Sequence, residues 1–488
     1  MRYILALDEG TTSARAALYD PEGRRVAMES APIHCHYPNP GWVEQDPLQI
    51  WEAQMDAVRR TLSAAGIPAS AVGAVGVTNQ RETTVVWDRE TGEPVAPAIV
   101  WQCRRTAPFC SELARSADAA AITRKTGLVI DAYFSASKIK WILDAVPGAR
   151  GRDLLFGTVD TWLIWKLTGG SVHVTDPSNA SRTMLYDLAA GAWDGDLLRL
   201  FGVPAEMMPR VAGSSEVVGA ARGDVLGAEA PIAGIAGDQQ AALAGQACFR
   251  HGLSKNTYGT GCFALLHTGS SPALSRNRLL TTRAASPDAT PQFAVEGSVF
   301  VAGAAVQWLR DQMGLIASAA DSETVAGSVD DTGGVYFVPA FVGLGAPHWD
   351  QDARGLLCGL TRATRPAHIV RAALEAIAYQ TCELVAAMEA DSGERIEELR
   401  VDGGATANNF LMQFQADMLG RRIVRPADIE TTALGAAYLA GLATGYWRSV
   451  QEVESFWRVD RVFEPRLDPA RREELFLGWK DAVRRTRA

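Results

Sequence analysis

The chain has 488 residues, 47% of them hydrophobic and 21% charged, with a net charge of −9. This ordinary globular composition excludes a disordered or collagen-like chain, and the length is enough for two or three domains whose cores need no disulfide or metal staple. The acidic balance gives no global field for nucleic acid or an anionic membrane, so neither is expected as a partner.

Residues 1–7 reach Asp8 without a long apolar core and read as a strand rather than a secretion signal. No run of 18 strongly apolar residues occurs, so no membrane span and no stable membrane association are expected. Seven cysteines, odd in number and without a C-x-x-C pair, fit reduced thiols and a cytoplasmic location. His34-Cys35-His36 alternates on one extended segment with no second cluster, and is not read as a metal site.

In chain order, residues 3–8 form an apolar strand, 9–13 a polar turn, 14–19 a second strand and 20–23 another turn. A helix with both ends marked follows. Asp46 is placed to cap it, Pro47 takes the first helical position and Gly66 follows its end. Trp51, Met55, Val58 and Leu62 recur at helical spacing and give it one apolar face. Residues 71–78 read as a buried strand, and strands alternate with helices from there, which makes the class α/β. Residues 231–236 read as strand, Gly237-Asp238 as a turn and the chain from Gln239 as a helix. Residues 256–267 read as a hairpin bent at Gly259-Thr260-Gly261. A long helix is predicted from Pro366 to about Gly393, with Ile377, Leu384 and Met388 on one stripe. Residues 399–401 form a short strand leading into Asp402-Gly403-Gly404. Residues 431–447, rich in alanine and glycine, predict a buried helix packed closely through small residues, and the charged tail from 450 reads as helical. The halves look like variations on one architecture, with a boundary between Gly245 and Leu253. This gives domains over 1–246 and 247–488, packed about a cleft.

The chain has no Gly-Lys dipeptide, hence no P-loop, and no His-Arg-Asp or Asp-Phe-Gly triplet. Gly259-Thr-Gly-Cys-Phe-Ala264 matches a dinucleotide-binding pattern, but a strand rather than a helix is expected after it, so that reading is rejected. Three small-residue turns remain, each at a strand end: Asp8-Glu-Gly-Thr-Thr-Ser13, Gly259-Thr-Gly261 and Asp402-Gly-Gly-Ala405. Each alone is turn chemistry. Together they suit phosphate, because backbone N–H groups and hydroxyls can approach an anion where no bulky side chain intervenes. Asp8 cannot bind phosphate itself, but as a hard oxygen ligand it can hold Mg²⁺.

These turns, with further stretches, resemble the glycerol kinases of the FGGY carbohydrate kinase family, within the actin-like ATPase superfamily. The stretches are Leu7-Asp-Glu-Gly-Thr-Thr-Ser13, Gly41-Trp-Val-Glu44, Thr78-Asn-Gln-Arg-Glu-Thr-Thr84, Ile99-Val-Trp-Gln-Cys-Arg-Arg105, Tyr133-Phe-Ser-Ala-Ser-Lys138, Gly157-Thr-Val-Asp-Thr-Trp162, Gly234-Ile-Ala-Gly-Asp-Gln-Gln240, Tyr258-Gly-Thr-Gly-Cys-Phe263, Phe341-Val-Gly-Leu-Gly-Ala-Pro347 and Val401-Asp-Gly-Gly-Ala405. They span residues 3 to about 447. The Arg-Glu-Thr-Thr, Trp-Gln-Cys-Arg-Arg and Gly-Asp-Gln-Gln stretches are specific to glycerol kinases, whereas the Asp-Glu-Gly-Thr-Thr-Ser and Gly-Gly turns are shared with related sugar kinases.

The resemblance implies two actin-like, ribonuclease H-like domains flanking a central cleft. It also implies transfer of the ATP γ-phosphoryl group to a primary hydroxyl of glycerol, with Mg²⁺. It makes Asp238 the catalytic base and, with Asp8, a metal-side carboxylate. Arg81, Glu82, Tyr133, Asp238 and Gln239 then bind glycerol hydroxyls, between apolar walls from Trp101 and Phe263. Thr11, Thr12, Ser13, Arg15, Thr260 and Gly404 contact phosphate, while Gly303, Gln307 and Asn408 line the adenosine side. A homodimer or homotetramer is implied as well. Read without the resemblance, Asp238 caps the helix from Gln239, Arg81 and Glu82 form a rim ion pair, Trp101 and Phe263 belong to the core, and Gly303 packs a helix.

Two departures stand out. Ala145 replaces a polar residue of the family at a position expected on the surface. Some bacterial members bind an inhibitory sugar bisphosphate through an arginine in a Gly-rich loop, where this chain has Arg222-Gly-Asp224 and Glu229. Acidic residues there repel phosphate, so weak control of this kind is expected. The rival readings are a pentulose kinase of the same fold, opposed by the Arg81-Glu82 and Trp101 stretches, and an actin-like or chaperone-like ATPase, opposed by the lack of a peptide-binding domain. A regulator without catalysis is opposed by the presence of Asp8 and Asp238.

Overall fold

The computed structural model describes residues 2–350 and 352–487. Strand Tyr3–Glu9 runs antiparallel to Ser13–Tyr19, which pairs antiparallel with Arg25–Pro32. On its other side Tyr3–Glu9 pairs parallel with Val72–Asn79. Ala230–Gly237 continues parallel, and Ser215–Ala221 closes the edge antiparallel. The second sheet repeats the plan. Phe293–Val299, Cys262–Gly269 and Ser254–Tyr258 are antiparallel neighbours, flanked outside by Leu280–Arg283. Ser254–Tyr258 then pairs parallel with Glu398–Asp402, and this with Arg422–Pro426. Three antiparallel strands leading into two parallel ones are thus common to both sheets, as the similarity of the halves predicts. Because Cys262–Gly269 is a strand, the rejection of dinucleotide binding at the Gly259 turn stands.

The parallel registers place the site. Glu9, Asn79 and Gly237 are neighbours across three strands, so Asp8, Arg81-Glu82 and Asp238 leave one sheet at the same end. Thr257 faces Asp402 in the other sheet, which brings out the Gly259 and Gly403 turns together. Ligands in open α/β sheets sit beyond such carboxyl ends.

The first helix is Pro47–Ala65. Asp46 accepts from the Leu48 amide at 2.8 Å, and Gly66 takes the left-handed cap conformation at φ +65°. Its apolar face is the predicted one: Met55 and Val58 lie in the core under the first sheet, and Trp51 and Leu62 pack against it. Ile50, Ala53, Gln54, Met55, Ala57, Val58 and Thr61 are buried, whereas Trp51 and Leu62 are half-exposed. Two polar side chains of the helix are buried with that face and dock on the sheet: Gln54 Nε2 donates to the Arg15 carbonyl at 2.8 Å and Thr61 Oγ1 to the Ala16 carbonyl at 2.9 Å. The long helix is Pro366–Ser392, followed by Gly393 at φ +73°, and Ile377, Leu384 and Met388 are buried.

Helix Thr431–Ala443 packs against Asp238–Gly245 through glycines. A Cβ on Gly435 would lie 1.8 Å from the Ala241 carbonyl oxygen, and one on Gly245 would lie 1.9 Å from that of Thr431. Residues of this helix and Trp447 also cover Ile4, Ala6, Ala17, Ala74 and Ala233, so the C-terminal part of the chain returns to the first sheet. The tail is not wholly helical. Val459–Phe463 is an edge strand on Arg422–Pro426, because Phe463 reaches the core while its charged neighbours stay on the exposed edge. The helix after it is Pro469–Thr486, capped by Asp468. Ala145 is exposed, as expected.

Candidate active site

The first turn joins two antiparallel strands at the cleft. Gly10 N donates to the Ser13 carbonyl at 3.0 Å, and the Thr11 carbonyl is held by Gln45 Nε2 at 2.6 Å. Thr12 is exposed, and Thr11 and Ser13 are half-exposed. Arg15 lies beside this turn, with its Nη1 2.9 Å from Glu430 and 3.7 Å from Asp8. Burial pushes the Asp8 carboxyl up to about 6; Arg15 opposes this, and Glu430 and Asp238 add to it.

The second turn is locked to the helix Gly303–Asp311. Ala302 N and Ala304 N donate to the Thr260 carbonyl at 2.8 and 3.1 Å, and Gly303 N to that of Gly259 at 3.0 Å. A Cβ on Gly303 would lie 2.5 Å from the Gly259 oxygen, so close backbone packing explains this glycine, as the helix-packing reading has it. Gln307 is exposed on the same helix. In the third turn Gly403 has φ +87°, and a Cβ there would be 2.6 Å from the Tyr258 oxygen. Gly404 is exposed, with open space where a side chain would be. Asn408 caps Asn409–Leu419 by accepting from Leu411 N at 2.9 Å, and donates to Ser322 Oγ at 3.1 Å.

Arg81 and Glu82 are not a rim pair. Both are buried in a chain of alternating charge that spans both sheets. Arg81 Nη1 and Nη2 are 2.5 and 2.9 Å from Glu296, Arg182 Nη2 is 3.2 Å from Glu296, and Arg182 Nε is 2.6 Å from Glu82. Burial pushes the Glu296 carboxyl up, but Arg182 and Arg81 outweigh it and hold it at about 2. Removing one member of such a buried network typically costs about 3–5 kcal/mol, because it leaves an uncompensated buried charge. Glu82 sits at φ +60°, a strained conformation for glutamate. Its carbonyl is held by Lys138 Nζ at 3.1 Å, which also donates to the Tyr133 carbonyl at 2.7 Å. Lys138 therefore ties two predicted glycerol contacts together.

Asp238 is the first residue of its helix, and Gly237 occupies the cap position. Its Oδ1 accepts from Gln239 N at 2.7 Å and lies 3.0 Å from Arg81 Nε. Lys255, buried on the other sheet, donates to Gln239 Oε1 at 2.5 Å, Thr257 Oγ1 at 2.7 Å and the Phe263 carbonyl at 3.2 Å. With its oxygen fixed in this way, the Gln239 amide turns its NH₂ group towards Asp238 Oδ2, 3.3 Å away. Trp101 and Tyr133 meet edge to face at 5.5 Å between ring centres. Trp101, expected as a wall, also donates its Nε1 to Thr11 Oγ1 at 2.9 Å and so joins the predicted glycerol contacts to the turn predicted to hold phosphate. Phe263 is half-buried beside Lys255 and is not part of a closed core.

The sequence reading missed Arg182, Glu296, Lys255 and Glu430. Arg182 lies in a polar run beside Asn179, and a buried charge inside strand Phe293–Val299 was a signal available for Glu296.

Two family models match the chain: the N-terminal domain of the FGGY family of carbohydrate kinases over residues 3–245 and the C-terminal domain over 254–444. A glycerol kinase of Symbiobacterium thermophilum is 59% identical, with 99% of this chain and 98% of that one covered. A glycerol kinase 2 of Thermotoga maritima is 56% identical, with 100% and 99% covered. Among solved structures, Plasmodium falciparum glycerol kinase with ADP superposes with a TM-score of 0.93 at 36% identity, covering 100% of this chain and 98% of that one. The chain belongs to the FGGY family of carbohydrate kinases, among its glycerol kinases.

Proposed function

We infer that the chain is an ATP:glycerol 3-phosphotransferase, making sn-glycerol 3-phosphate and ADP. The observation that carries this reading is the convergence of Asp238 with the buried Arg81-Glu82 turn, beside the Trp101–Tyr133 pair that Trp101 Nε1 ties to the first small-residue turn. Arg81, Glu82, Tyr133 and Gln239 orient a small polyol, with Trp101 and Phe263 against its carbon chain. A site built to pair hydroxyls rejects substrates that leave its polar groups unpaired. Asp238 accepts the proton of the terminal hydroxyl as that oxygen bonds to the γ-phosphorus and ADP leaves. Thr11, Thr12, Ser13, Arg15, Thr260 and Gly404 hold the phosphates, with Gly303, Gln307 and Asn408 along the nucleoside.

Asp8 and Asp238 fit Mg²⁺. They leave the same end of the first sheet, and the Arg15 guanidinium lies nearer to Glu430 than to Asp8. Hard oxygen donors suit this ion, which when bound neutralises phosphate charge. The rest of the reading has residues 1–246 and 247–488 as lobes that close to exclude water, in a cytoplasmic homodimer or homotetramer. Among the described residues no helix is long and apolar enough to cross a membrane. The test is Asp238→Asn, for which kcat falls by about 10²–10⁴-fold. A near-parental kcat rejects the base assignment.

A further inference from the structure

Residues 176–182 are absent from the reading above, yet Asp176, Ser178, Asn179, Ser181 and Arg182 are each no more than 1% exposed. Polar side chains buried this completely need partners, and these find them at the site. The Asp176 carboxylate accepts five hydrogen bonds: from Ser178 N at 3.1 Å, Ser178 Oγ at 2.9 Å, Asn179 N at 2.9 Å, Asn179 Nδ2 at 3.0 Å and Ser214 Oγ at 2.7 Å. Those bonds fix the side chains of Ser178 and Asn179. Ser178 Oγ, with its hydrogen directed to Asp176, accepts from Gly237 N at 2.9 Å, the amide just before Asp238. Asn179 Oδ1 accepts from Asn79 Nδ2 at 3.1 Å, which also donates to the Gln80 carbonyl at 3.0 Å, just before Arg81. Gly237 and Asn79 are register partners on adjacent parallel strands. One carboxylate therefore organises a turn that grips both strand ends from which the site emerges.

We propose that Asp176 is a positioning residue: through Ser178 and Asn179 it sets the strand end bearing Asp238 against the turn bearing Arg81 and Glu82. This rests on the reading of Asp238 as the base. Ser214 provides the contrast, because its hydroxyl bonds the same carboxylate but its side chain grips neither strand end.

The experiment compares Ser178→Ala, Ser178→Thr and Ser214→Ala for kcat, both KM values and melting temperature, with Asp238→Asn alongside. Small displacements of reacting groups cost one to two orders of magnitude in rate, so Ser178→Ala lowers kcat at least about tenfold. Ser214→Ala stays within about twofold in kcat, although it too removes a buried hydrogen bond to Asp176, one bond where Ser178→Ala removes two. Ser178→Thr, which restores the hydroxyl, recovers most of kcat. Equal kcat losses in Ser178→Ala and Ser214→Ala, or no loss in Ser178→Ala, overturn the proposal. Loss of kcat in Asp238→Asn with none in Ser178→Ala rejects the positioning role and keeps the base. An unchanged kcat in Asp238→Asn rejects the base assignment and this role with it.

Discussion

Gly435→Ala is expected to impair catalysis without touching the site. The new Cβ would stand 1.8 Å from the Ala241 carbonyl oxygen, and real Cβ atoms essentially never come within 3.0 Å of such a neighbour. The clashing atom is backbone, so no side chain can swing aside. The two helices must therefore separate by at least about 1.2 Å, given that a closely packed interior cannot absorb the overlap. The displaced helix, Asp238–Gly245, begins with Asp238, the proposed base. A misplacement of about 1 Å costs about 10²-fold in rate, and overpacking costs about 1–3 kcal/mol of stability. The assay is kcat at saturating glycerol and Mg-ATP together with denaturant midpoints. Gly245→Ala, which makes the reciprocal clash 1.9 Å from the Thr431 oxygen, should behave alike. Gly327→Ala has open space around it and serves as the control. Parental kcat and stability in Gly435→Ala would refute the argument that this glycine pair sets the position of Asp238.

Trp101→Phe keeps the aromatic wall but removes the donor to Thr11 Oγ1, so the KM for ATP rises about 2–10-fold while that for glycerol moves less. The opposite split in steady-state kinetics would contradict the link. Burial pushes the Asp160 carboxyl from 3.8 up to about 7, against the hydroxyls of Thr158 and Thr175. A folded-state value raised in this way gives stability that is complete below 3.8 and lost as pH rises to about 7. The loss is about 1.4 kcal/mol per pH unit, or about 4 kcal/mol in all. Asp160→Asn removes that slope, and a stability difference from the parent that stays constant across the window would count against it. Arg222 is held in a fork by Asp224 at 2.9 and 2.6 Å. Fructose 1,6-bisphosphate should therefore inhibit weakly, and potent inhibition in a kinetic titration would overturn this.

Elements whose signals are local were legible in the sequence. Asp46, Pro47 and Gly66 mark one helix and Pro366 with Gly393 another, because caps and breakers act on their own neighbours. The three turns were legible for the same reason. Other features depend on what packs against them. The burial of Gln54 and Thr61 in the first helix is set by the sheet carbonyls that they meet. The chain of buried charges joins residues as far apart as Arg81 and Glu296, and no spacing rule connects them. Trp101 read as a wall because its indole N–H has no periodicity to betray its partner Thr11. The edge strand Val459–Phe463 was masked by charges that its exposed position tolerates.

The most direct test of the central claim is ADP release from Mg-ATP with glycerol, with xylulose and with neither, for the parent and for Asp238→Asn. The account predicts strong stimulation by glycerol alone, lost in the variant. Stimulation by xylulose instead, or ATP turnover indifferent to both, would contradict it.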